Sequence, residues 1–115
     1  MKRVEYSLFV RKKLMILRND LMARFGTEKA KEVISKITRA VKSLMLFEEK
    51  GISVSAVYGV ECDYRYLYIS HNYLFYRIED DKIIIVEMFH EREDFMYELF
   101  GIKTTQQETY DYWKE

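Results

Sequence analysis

The sequence predicts an α+β fold: an N-terminal strand, an antiparallel helical hairpin packed on an antiparallel β-meander, and a short C-terminal helix. Two observations carry that prediction. In the first half, apolar residues recur at helical spacing, and from Tyr64 onward the period becomes that of strands, with short turn-forming pairs between the segments. The size fits: 115 residues with 49% hydrophobic content suffice for one packed core and are too apolar for a disordered chain. There is no proline, and the glycines are far apart, so no linker, low-complexity tract or repeat divides the chain. A single domain is expected over residues 1–101, with a polar tail over 102–115.

Lys2 to Tyr6 reads as a short strand. Ser7 then suits the N-cap of a helix running to about Phe25, with Gly26 in the C-terminal capping position. Its expected buried stripe is Val10, Leu14, Leu17, Leu21 and Phe25. Thr27 is expected to cap a second helix through about Leu46, burying Ala30, Val33, Ile34, Ile37, Val41 and Leu44 and turning Lys31, Arg39 and Lys42 outward. The short connection between them makes a helical hairpin.

Three strands follow, Tyr64–Ile69, Tyr73–Ile78 and Lys82–Phe89, separated by His71-Asn72 and Asp80-Asp81. Two-residue turns would set Ser70 opposite Tyr73 and Glu79 opposite Lys82. Leu67, Ile69, Leu74, Tyr76, Ile78, Ile83, Ile85 and Phe89 then face the helices. The other face would carry Tyr64, Tyr66, Tyr68, Tyr73, Phe75, Arg77, Val86, Met88 and His90. A last helix is expected from about Arg92 to Phe100, ended by Gly101.

Composition narrows the function. No apolar run reaches the roughly 18 residues of a membrane span, and no apolar stretch follows a basic start, so a cytoplasmic protein is expected. One cysteine, Cys62, and two histidines leave no disulfide and no zinc spacing, and no cofactor is expected. The zero net charge divides unevenly. Residues 1–50 hold 13 Lys/Arg against 6 Asp/Glu, and residues 51–115 hold 6 against 13, giving +7 and −7. Such a split suits either attraction between layers or a basic face that meets an acidic partner.

Two groups of residues are candidates for chemistry. An open sheet face with tyrosines, Arg77 and His90 could stack bases and hold phosphate, while packing is the ordinary role of such aromatics. RNA cleavage through the 2′-hydroxyl needs a base, an acid and a cation, for which His90, Tyr73 and Arg77 are the available set. On the first helix, Met15 and Met22 lie beside Arg11 and Arg18, outside the leucine stripe. Methionines flanked by cations suit docking of an acidic amphipathic segment, and a solvated basic face is the plainer alternative.

Tyr64-Arg65-Tyr66-Leu67-Tyr68-Ile69, then Tyr73 through Ile85 with its acidic Glu79-Asp80-Asp81 turn, then His90-Glu91-Arg92-Glu93-Asp94 follow a recognisable order. It is an arginine-led strand, a tyrosine-rich strand, an acidic turn, an aliphatic strand and a His-x-Arg-x-Asp-like end. The set resembles the RelE/ParE superfamily of toxins from bacterial type II toxin–antitoxin systems, including proteins labelled plasmid stabilisation, over roughly Val4 to Gly101.

The resemblance implies a small toxin, neutralised by a cognate antitoxin, that either cuts mRNA in the ribosome as an mRNA interferase or inhibits DNA gyrase. The alternative is a non-catalytic binding module that keeps the toxin fold. Carried over by position, Arg65, Arg77, His90 and Arg92 are the functional candidates, and Tyr73 stands where several RNA-cutting relatives have an arginine. The basic first helix, through Arg11, Met15, Arg18 and Met22, is the expected antitoxin surface. A homodimer is left open.

Overall fold

The computed structural model describes residues 2–93. The elements run β1 (Arg3–Tyr6), α1 (Leu8–Phe25), α2 (Thr27–Ser43), β2 (Ile52–Ser53), α3 (Val54–Tyr58), β3 (Arg65–Ile69), β4 (Asn72–Ile78) and β5 (Lys82–His90). The strands form one sheet in the order β1-β5-β4-β3-β2. The β3–β4–β5 meander is antiparallel, and β1 joins β5 in parallel, with Val4 beside Ile83 and Tyr6 beside Ile85. The predicted α+β class and the order of strand, helical hairpin and meander are observed, with β2 and α3 as additional elements between the hairpin and the meander. Of the last helix expected from about Arg92 to Phe100, Arg92 and Glu93 lie in a turn after β5, and the rest of it and the tail, residues 94–115, lie outside the described residues.

The local signals act largely as chemistry requires. Ser7 is extended and its side chain accepts a hydrogen bond from the Val10 amide, capping α1. Gly26, at φ 91° and ψ 171°, ends α1 with its amide bonded to the Met22 carbonyl. It is also the N-cap of α2, which has no side-chain cap bond, so Thr27 is the first residue of that helix rather than its cap. α2 stops at Ser43, earlier than Leu46, and the chain continues in turns to Lys50.

The main core lies between the hairpin and the sheet. Val10, Ile37, Val41, Leu44, Leu67, Leu74, Tyr76, Ile83, Ile85 and Met88 are buried there, with Leu14, Leu17 and Val33 packed against them. Buried on its other side, the sheet has a second, smaller cluster of Val54, Tyr66, Phe75 and Phe89. α3, which the sequence reading omitted, supplies Val54 to that cluster. Its own signals are a Ser53 side chain accepting from the Ala56 amide and a left-handed Gly59.

Candidate functional site

Two departures in the meander decide where the candidate residues go. Ser70 and His71, both at positive φ (50° and 67°), form the β3–β4 turn, so Ile69 pairs with Asn72 and Tyr68 with Tyr73. This is the backbone of a type I′ turn, whose twist matches that of the flanking strands. The expected Ser70–Tyr73 pairing is therefore wrong by two residues along β3, an even shift that leaves every side chain on its expected face. At the other turn, the Glu79 amide donates to the Lys82 carbonyl, as expected.

The second departure is a β-bulge. Phe75 pairs with Glu87 but Tyr76 pairs with Ile85, which leaves Val86 as an extra residue in β5. Ser7 is anchored there, its amide donating to the Ile85 carbonyl at 2.9 Å and its hydroxyl to the Val86 carbonyl at 3.0 Å. One extra residue reverses all alternation beyond it. Met88 consequently enters the main core and Phe89 the second cluster, the reverse of the expected placement.

The bulge also separates His90 from Arg77. His90 pairs with Asn72 and lines a cleft of ≈ 290 Å³ on the helix side, together with Lys13, Ile16, Leu17, Asp20 and Met88. Its Nδ1 accepts a hydrogen bond from the Arg92 amide at 3.2 Å, so the ring orders the turn that follows β5. Arg77 lies on the other side of the sheet, where its Nη2 and Nε both reach Glu79, at 2.8 and 3.1 Å.

Arg65 serves the backbone. Its guanidinium donates to the carbonyls of Gly51 (2.9 Å) and Glu49 (3.3 Å). The buried Tyr76 completes that knot, its hydroxyl donating to the Glu48 carbonyl and accepting from the Gly51 amide, each at 2.8 Å. Gly51 is required here because a Cβ would overlap the Tyr76 phenol.

The expected open aromatic platform is mostly packing. Tyr66, Phe75 and Phe89 are buried, with ring centroids 5.6 Å apart for Tyr66–Phe75 and 5.9 Å for Phe75–Phe89. Tyr73 packs edge-on against Tyr66 at 5.5 Å. Burial, then Tyr66 and Glu91, raises the pKa of its phenol. Burial pushes Tyr58 up to about 12. Arg65 and Arg77 are thus each held by other groups, and His90 lies on the opposite side of the sheet from Arg77 and Tyr73.

At the turn end of the sheet the structure gathers a polar cluster that the sequence reading did not single out. Glu91 accepts a hydrogen bond from the Tyr68 hydroxyl and lies 2.9 Å from His71 Nδ1. The Tyr68 hydrogen bond, then the His71 ring, hold the Glu91 carboxyl below its usual range. The signal for this cluster was the register itself, because the Glu91 amide donates to the His71 carbonyl just beyond the Asn72–His90 pair.

α1 differs in kind from the sheet residues. Val10 alone among its residues is fully buried, and Leu14 and Leu17 are partly so. Phe25, expected in the buried stripe, is 64% exposed. Met15 and Met22 are 58% and 41% exposed and lie on the flank that carries the exposed Arg11 and Arg18.

The family model described as "ParE toxin of type II toxin-antitoxin system, parDE" matches residues 4–95. The chain belongs to the ParE toxin family. No curated protein matches it in sequence. Among solved structures it is similar to a chain of "Chromosomal ParDE TA system from P. aeruginosa", with a TM-score of 0.65 and 18% identity over 78% of this chain and 96% of that one. At that identity the likeness is one of fold. The ParE-family match spans β1 through β5, so it takes in α1, the bulge and every sheet residue discussed above. Among the described residues of this ParE-family chain, no helix is long and apolar enough to cross a membrane.

Proposed function

We propose that this chain is the toxin of a toxin–antitoxin pair and that it works in the cytoplasm by binding DNA gyrase rather than by cutting mRNA. The observation that supports this reading is the dispersal of the expected catalytic set. Cleavage at a ribose 2′-hydroxyl needs base, acid and cation within hydrogen-bond reach of one phosphate. Here Arg65 is committed to backbone carbonyls, Arg77 to Glu79, and His90 to the opposite side of the sheet from Arg77. The antitoxin docks on α1, where Met15 and Met22 offer adaptable apolar contact and Arg11 and Arg18 select an acidic segment.

Induced expression, with DNA and protein synthesis followed separately, tests the target. Early loss of replication, together with inhibition of gyrase supercoiling by the purified chain, is expected. Early loss of translation with mRNA cleavage on ribosomes would overturn the gyrase assignment. Rescue of growth by the neighbouring gene product is the expected sign of the antitoxin.

A further inference from the structure

α1 carries a second exposed apolar flank, distinct from the methionine–arginine one. Phe9, Ile16 and Ala23 recur every seven residues, and Phe9 and Ile16 are 68% and 66% exposed. A repeat of seven keeps these side chains close to one line of the helix surface, drifting by only about 20° per repeat. Lys12 and Asp20 border that line and are exposed. Among the described residues Asp20 is ion-paired with Arg24 of its own helix, at 3.1 Å, a surface pair worth little by itself, and with Ile16 it lines the edge of the His90 cleft.

We propose that this flank is a self-association surface on which a second copy of the chain packs its own α1 antiparallel, with the two-fold axis at Ile16. The sequence is self-complementary under that operation. Ile16 meets its own copy, Phe9 covers Ala23 of the second copy, and Lys12 faces Asp20 of the second copy, with each contact made twice by symmetry. Large faces small and cation faces anion.

The same operation on the other flank, centred on Met15, sets Arg18 against Lys12 of the second copy and supplies no carboxylate. Charge thus divides the two sides of α1. One side repels its own copy and suits an acidic partner, and the other suits itself. The two surfaces lie on different sides of the helix, so one can be lost without the other.

The full chain, made by cell-free synthesis, would be followed by sedimentation and light scattering across the micromolar range. A concentration-dependent dimer is expected. Ile16→Glu weakens it by about 30-fold or more, the effect of truncating a central anchor, while Met15→Glu leaves it unchanged. Lys12→Glu weakens it by about 5-fold, since two surface pairs become repulsive, and adding Asp20→Lys restores it. Ile16→Cys in a Cys62→Ser background forms a disulfide-linked dimer on mild oxidation, and Met15→Cys does not. A monomer at every concentration, a dimer indifferent to Ile16→Glu, or a charge reversal that the second reversal fails to rescue would each overturn the proposal. Both charge variants alter exposed residues, so they remain informative if Ile16→Glu is poorly folded.

Discussion

α1 and α2 are nearly equal in length, 18 and 17 residues, and pack against each other as one hairpin, yet they are built on opposite plans. In α2, Ala30, Ile37 and Val41 are buried, and the opposite side carries Lys29, Glu32 and Lys36, which pair with one another. Every apolar residue of α2 has a place in the fold. α1 buries Val10 alone, and Leu8, Phe9, Met15, Ile16, Met22 and Phe25 stay exposed. α1 thus keeps several large apolar side chains on its outer surface, interspersed with cations, and the two proposals above assign those side chains to partners. The comparison separates folding from function within a single hairpin.

The largest test of this division uses one isoleucine from each helix. Ile37→Ala leaves a cavity at the centre of the main core and should cost about 2–5 kcal/mol in urea denaturation. Ile16→Ala on α1 should change stability by no more than about 0.5 kcal/mol. Comparable losses at the two positions would break the distinction.

The same contrast explains what was legible in the sequence. The α2 stripe was read almost as it stands, because burial on one face imposes a 3.6-residue period. The α1 stripe was read correctly at Val10, Leu14 and Leu17 but extended too far at Phe25, whose spacing fits the core while its position at the helix end leaves it in solvent. In the sheet, alternation placed Leu67, Leu74, Tyr76, Ile83 and Ile85 on the correct face. It failed beyond Val86, because a bulge adds a residue without leaving a mark in a run of aliphatic side chains. The arrangement of His90 and Arg77 rests on that one residue. The Glu91 cluster was hidden for a related reason, since it depends on a turn register that two adjacent polar residues leave ambiguous.

Gly26 is where the two plans meet, and its substitution should have the next largest effect. At φ 91° and ψ 171° it occupies a backbone region open almost only to glycine, although a Cβ would meet no neighbour there. Gly26→Ala should therefore cost about 1–3 kcal/mol through backbone strain alone. Asn should do no better, because this is not the left-handed helical region that asparagine tolerates. A neutral Gly26→Ala would mean that the junction relaxes freely and that the helices are not held as one unit.

Ser7→Ala comes next and, of the two helices, acts on α1 alone. It removes the cap on the Val10 amide and the hydroxyl's bond to the bulge carbonyl of Val86, for an expected loss of about 1–2 kcal/mol. Hydrogen exchange should show faster opening in the first turn of α1, with α2 unaffected. Opening of both helices together would instead mark the hairpin as a single cooperative element.

The smallest effect on stability should accompany the largest on partnership. Met15→Ser with Arg18→Glu changes two exposed side chains on the cationic flank of α1 and should leave the denaturation midpoint within about 0.5 kcal/mol of the parent. Under the proposed antitoxin assignment, growth arrest by the doubly substituted toxin should persist while rescue by the antitoxin is lost. Arg18→Glu alone should slow association most at low salt, where the attraction of an acidic segment is least screened. If rescue survives both changes, the exposed methionines and arginines of α1 are surplus to the antitoxin, and its docking surface lies on another part of the molecule.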